Sequence, residues 1–183
     1  GTQSIDKKGI DLVFVLDVSK SMLANDVQPD RLSKAKLFIN SLLSKMTNNR
    51  TGLVVFAGGA YQQIPITTDQ GAVKMILETV NTNIIPNQGT VISDALSAAN
   101  QMFEGDWKKH KAIVLITDGE DHDENAIAAA KEVNETGTLI FTVGIGSPEG
   151  TTITDPATNA PKKDQNGTIV ISKLNETILK ELA

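Results

Sequence analysis

The chain contains no cysteine, so disulfides, thiol nucleophiles and Cys-ligated zinc are excluded together. Histidine is nearly as scarce, with two residues in 183. His122, beside the acids Asp118, Glu120 and Asp121, therefore has no second imidazole or thiol nearby with which to share a metal, and reads as a solvated loop residue. A basic surplus is missing too. Seventeen Lys and Arg against twenty-two Asp and Glu give a formal charge of −5, which argues against a nucleic-acid backbone as partner. No apolar run is longer than that of Leu12 to Leu16, which falls far short of the roughly 20 residues that cross a bilayer. No basic start followed by an apolar stretch and small residues suggests a signal peptide. The chain reads as a soluble unit, and its origin in a larger membrane-bound protein is a separate matter.

What is present is ordinary globular composition, 40% hydrophobic and 21% charged, at a length that buries one sizeable core. Gly9 to Asp17 is apolar without a polar stripe, the pattern of a strand buried on both faces. Arg31 to Met46, opened by Pro29 and Asp30, places Leu32, Ala35, Phe38, Ile39, Leu42, Leu43 and Met46 at helical spacing. Thr51 to Ala57 is a second buried strand. Tyr61 to Thr67 carries Pro65, which removes a ladder donor and predicts an antiparallel edge strand. Asp69 caps a helix running to about Asn81. A helix over 90–103, a strand over 111–117, a helix over 124–136 stopped by Gly137, and a strand over 138–146 complete the alternation. Residues 150–172 change character and predict an irregular excursion with a small hairpin, Asn166-Gly167 being a tight turn. Residues 173–183 predict a terminal helix. The whole is one α/β domain: a doubly wound, mostly parallel sheet with one antiparallel edge strand and helices on both faces.

In such a sheet ligands bind at the carboxyl ends of the strands, and the unusual residues fall there. Asp17-Val18-Ser19-Lys20-Ser21 leaves the first strand, Gly89-Thr90 precedes the third helix, and Thr117-Asp118-Gly119 leaves a later strand. Alternate residues of a loop point one way, so Asp17, Ser19 and Ser21 can face one ion together. Hydroxyls and carboxylates are hard oxygen ligands suited to Mg²⁺ or Mn²⁺. A single Asp or Ser at a strand end does no more than cap a turn. Five such residues in three separated segments ask for a ligand.

These three pieces resemble the metal-ion-dependent adhesion site of the von Willebrand factor A family, and all five positions are filled: Asp17, Ser19, Ser21, Thr90 and Asp118. The runs from Leu16 to Ala24, Pro29 to Leu32, Gly52 to Gly58, Pro65 to Asp69, Gly146 to Gly150 and Ser172 to Glu176 are similar to its BatB and BatA subfamilies from bacterial aerotolerance operons. The resemblance implies a Rossmann-like domain and a bound Mg²⁺ or Mn²⁺ held by the hydroxyls directly and by one or both aspartates through water. It implies capture of a partner protein's acidic residue on that ion, with no enzymatic reaction and no catalytic residue. It also implies an anchor in the bacterial inner membrane through flanking helices absent here. Other Bat proteins and a MoxR-type AAA+ ATPase are the implied partners.

Other readings of the same residues are a Mg²⁺-dependent phosphatase and a scaffold with a purely structural metal. The first needs an acid two residues after the nucleophilic Asp, where Ser19 stands, and a general base that neither histidine is placed to supply. The run Gly144-x-Gly146-x-x-x-Gly150 misses the dinucleotide fingerprint by one residue in its last spacing, so its glycines read as loop geometry. Glu124 reads as a first-turn helix acid, His110 as a surface residue, and Trp107 as core or edge packing. Tyr61 is expected to pack too, although a loop position near the metal face would let it meet a partner.

Overall fold

In the computed structural model, which describes residues 9–103, 110–119, 125–146, 151–154 and 161–164, β1 (Ile10–Asp17) is buried along its whole length. Its side chains alternate between two cores. Leu12, Phe14 and Leu16 join one, and Val13 and Val15 join the other. A strand that must be apolar on both faces has to lie in the middle of a covered sheet. It pairs in parallel with β2 (Arg50–Phe56) on one side and β4 (His110–Thr117) on the other.

The helices cover the two faces as their apolar spacing requires. Helix α1 (Arg31–Lys45) begins at Asp30, whose carboxylate accepts from the Ser33 N–H at 2.8 Å. This satisfies one of the backbone donors that the first turn leaves without a partner. With α2 (Gln70–Thr79), capped by Asp69, it contributes Phe38, Ile39, Leu42, Leu43, Val73 and Leu77 to the Phe14 side. Helices α3 (Ile92–Gln101) and α4 (Ala126–Glu135) contribute Ala95, Leu96, Ala99, Ala129 and Val133 to the Val13 side. Phe14 is fully buried, and truncating such a side chain to alanine costs about 3–5 kcal/mol.

The sheet continues through β3 (Ala60–Thr67), antiparallel to β2 and carrying Pro65, and through β5 (Thr138–Gly144), parallel to β4. These five strands are the expected mostly parallel body with one antiparallel pair, flanked by helices. Tyr61 is the second residue of β3 and not part of a loop; it is 47% exposed at the edge, so it is not packed away. In the excursion after residue 150, the described residues are 151–154 and 161–164. Strands β6 (Thr151–Thr154) and β7 (Pro161–Asp164) form an antiparallel hairpin, and β6 pairs with β5, giving the order β3-β2-β1-β4-β5-β6-β7. Asn166-Gly167 and the helix expected over 173–183 lie outside the described residues.

The chain leaves β1 toward β2 on one side and later enters β4 on the other. The connections therefore diverge at the carboxyl ends of β1 and β4, the switch point where open α/β sheets offer a crevice. The register Leu16↔Ile116 sets the ends of these two strands side by side.

Candidate metal centre

Asp17 is the last residue of β1 and is fully buried. Its Oδ1 accepts from the Ser19 N–H at 2.9 Å, and its Oδ2 accepts from the Thr117 hydroxyl at 2.8 Å. The first bond folds the loop back on the strand end, and the second ties β1 to β4 across the switch point. Among the described residues, the donors that reach this carboxylate by hydrogen bond are neutral. Burial pushes the Asp17 carboxyl above its ordinary range; the hydrogen bonds from Ser19 oppose this, the nearby charge of Asp118 adds to it, and the Thr117 hydroxyl opposes it.

Beyond Asp17 the chain turns through a short 3₁₀ segment, Lys20–Leu23. The alternation expected for the loop holds. Ser19 and Ser21 bring their Oγ atoms to 3.0 Å of each other, while Lys20 is exposed. The Ser21 hydroxyl donates to Oδ2 of Asp118, whose side chain is 1% exposed. Asp17, Ser19, Ser21, Thr117 and Asp118 thus form one hydrogen-bonded group at the ends of two adjacent strands. Thr117 was in view as part of a motif, but its role as donor to Asp17 is legible only once β1 and β4 are paired.

The third segment approaches from β2. The Val18 N–H donates to the Phe56 carbonyl at 2.8 Å, so the end of β2 lies beside the Asp17 loop. Ala57 and Gly58, which follow, hold the loop carrying Thr90: Val91 N–H donates to the Ala57 carbonyl at 2.8 Å, and Gly58 N–H to the Asn87 carbonyl at 2.9 Å. The approach is close enough that a Cβ on Gly58 would meet the Gln88 carbonyl at 2.5 Å. Thr90 is half-buried there and makes none of the group's hydrogen bonds.

The donor set suits a hard dication. Ligands in adjacent positions of an octahedron, at about 2.1 Å from the ion, stand roughly 3.0 Å apart. That is the separation of the two serine oxygens. With its proton given to Asp118, Ser21 keeps lone pairs for an ion. Among the described residues no group of three or more His, Cys, Asp and Glu is arranged to hold a metal, so hydroxyls would have to supply ligands here. His110 is exposed at the start of β4, as expected. His122, Glu124 and Trp107 lie outside the described residues.

Arg31 and Asp26 were not singled out by sequence reasoning. Arg31, the first residue of α1, is buried; its Nε and Nη2 fork onto the two carboxylate oxygens of Asp26 at 2.9 Å each, and its Nη1 reaches Asp118 Oδ2 at 3.2 Å. A charged residue beside Leu32 on the buried side of a helix was the available signal.

The chain is similar to BatB from Bacteroides thetaiotaomicron (42% identity, 87% of this chain and 78% of that one, TM-score 0.75). It is equally similar to an aerotolerance-related membrane protein from Bacteroides fragilis (42%, 87% and 79%, TM-score 0.74). At the level of fold alone it matches proximal thread matrix protein 1 from the mussel byssus (23%, 78% and 37%, TM-score 0.66), a protein described with zinc in its adhesion-site motif. A relative from Mycolicibacterium paratuberculosis is 32% identical over 84% of this chain. The chain spans about half the length of the curated relatives it matches. Residues 12–120 match the model of the von Willebrand factor type A domain, and the chain belongs to that family.

Proposed function

We propose that this domain is a metal-ion-dependent protein-binding module. Ser19, Ser21 and Thr90 would hold Mg²⁺ or Mn²⁺ as direct ligands, with Asp17 and Asp118 supplying negative charge close by. The observation that carries this reading is the group at the β1 and β4 ends: a buried aspartate answered by neutral donors beside two hydroxyls at the spacing of adjacent metal ligands. Neutral ligands leave a dication short of charge. In a partly dry crevice that shortage attracts an anionic ligand strongly, and an Asp or Glu of a partner protein has the right chemistry.

No bond-making step is part of this reading. Both oxygens of Asp17 already accept hydrogen bonds, and the position of a second catalytic acid is taken by Ser19, which faces Ser21. Likeness to BatB and to a membrane protein of B. fragilis supports a role at a membrane; no described helix is long and apolar enough to cross one. Other Bat proteins and a MoxR-type ATPase are the partners to try first.

The test is affinity capture on the immobilised domain from membrane extracts, in Mg²⁺ and in chelator, with Thr90→Ala as control. Partners held only in Mg²⁺, and lost with Thr90→Ala, support the reading. Partners held equally in all three samples would make any metal structural and move the contact elsewhere.

A further inference from the structure

The side chain of Arg31 is 10% exposed, although it carries a permanent charge. Its surroundings are built for it. Asp26 takes two of its nitrogens in a fork, the geometry in which guanidinium and carboxylate bind most specifically. Nη1 is left to reach Asp118 Oδ2 at 3.2 Å and the Ser21 carbonyl at 3.4 Å. Behind the guanidinium stands Gly146, at φ 110°. A Cβ there would fall 2.5 Å from Nε and 2.8 Å from Cζ of Arg31. The loop after β5 thus makes room for the arginine by giving up a side chain, in a backbone conformation that only glycine adopts freely.

Among the described residues, one oxygen of Asp118 therefore serves the Ser21 hydroxyl and the Arg31 guanidinium together. The same guanidinium joins the segment just after the adhesion-site motif, through Asp26, to the start of α1. Among the described residues, Asp17, Asp26 and Asp118 bring three negative charges to this corner and Arg31 brings one positive charge. A dication would balance the remainder. Without the arginine the corner would hold such an ion more strongly and leave it less charge for an incoming acid.

We propose that Arg31 is a built-in cation of the site. It partly neutralises the carboxylates while no metal is bound, and it weakens metal retention so that a bound ion keeps charge for an acidic ligand. This rests on the metal-binding reading above and adds a residue to it that touches no ligand directly. Arg31 acts through Asp118 as a positioning and charge-setting residue.

Titration of chelator-stripped protein with Mn²⁺, followed by the electron paramagnetic resonance of the free ion, tests this. Arg31→Gln is expected to bind Mn²⁺ at least about five-fold more tightly than the unmodified chain, because a like charge has left the neighbourhood of the ion. Arg31→Lys keeps the charge and is expected to stay within about two-fold. Melting curves give a second readout: Arg31→Gln melts lower than the unmodified chain in chelator and recovers most of the difference in Mn²⁺. Asp26→Asn compared with Asp26→Asn/Arg31→Gln repeats the comparison in a background where no acid at position 26 is stranded, and the double variant should again bind more tightly. Equal or weaker binding after removal of the arginine, in either folded background, would overturn the proposal while leaving the metal site standing. Absence of Mn²⁺ binding by the unmodified chain would overturn both.

Discussion

Two aspartates stand at opposite ends of β1, and both are buried. Asp11, at the start of the strand, is met by the guanidinium of Arg50, whose Nε donates to Oδ1 at 2.9 Å while Nη2 donates to Oδ2. Asp17, at the other end, is met by a backbone N–H and a threonine hydroxyl. The contrast separates two uses of one residue type. A buried carboxylate with a fixed counter-cation has its charge answered within the fold, and its task is structural. One held by neutral donors keeps a charge that the fold leaves for something else to balance, and desolvation raises its pKa accordingly. Arg31 stands between these cases: it is a fixed cation like Arg50, but shared between Asp26 and the site residue Asp118.

Exchange of the two carboxylates for amides breaks the comparison most directly. Asp17→Asn is expected to lower Mn²⁺ affinity at least about a hundredfold, or about 2.7 kcal/mol, without lowering the melting temperature in chelator. Asp11→Asn should do the reverse, leaving Mn²⁺ affinity unchanged and destabilising the fold by about 2 kcal/mol with or without metal. That figure lies below the range for breaking a fully buried pair, since the Arg50 side chain is 37% exposed and can turn to water. Equilibrium denaturation and metal titration of the two variants check both halves. Equal behaviour would erase the distinction.

Thr117→Val sharpens the Asp17 side. It keeps the volume but removes the donor to Oδ2, at a cost of about 1 kcal/mol in denaturation, and it leaves the Asp11–Arg50 pair untouched. No loss of stability would mean that the Thr117 bond contributes nothing to holding Asp17.

The pH dependence is the smallest effect. With its folded pKa above the unfolded value of about 3.9, Asp17 binds more protons folded than unfolded between those two values. Its contribution to the stability of metal-free protein therefore falls as pH rises through that window and levels off above the folded pKa. On the metal-binding reading proposed above the ion needs the carboxylate, so Mn²⁺ affinity is expected to rise over the same window. The difference between stability–pH curves in chelator for the unmodified chain and Asp17→Asn isolates the first trend. A difference of the opposite sign would contradict the raised pKa.

Much of this was legible in the sequence because it is written in local patterns. β1 shows as an apolar run because both its faces are covered, α1 as a spaced stripe because one face is, and β3 as an edge because Pro65 cannot complete a ladder. The convergence of Asp17, Ser19, Ser21 and Asp118 follows once β1 and β4 are neighbours, which the alternation of strands and helices suggests. The remainder depends on partners far apart in the chain. Arg31 reaches Asp118, and is seated by Gly146, across separations that no window can see. Thr117 becomes a donor to Asp17 only through the pairing of two strands. Residues 150–172 read as an irregular excursion with a small hairpin whose strands stay unplaced, because Thr-Thr-Ile-Thr and Pro-Lys-Lys-Asp carry neither an apolar run nor a clean alternation; they become strands by extending an existing edge.

In the function proposed above, the hydroxyls beside Asp17 hold one divalent cation. Calorimetric titration of chelator-stripped protein with Mn²⁺ addresses it, comparing the unmodified chain with Ser19→Ala/Ser21→Ala. One ion per chain, with binding abolished in the double variant while its melting temperature in chelator stays close to that of the unmodified chain, is the predicted result. No binding by the unmodified chain, or binding undiminished without the two hydroxyls, would contradict it.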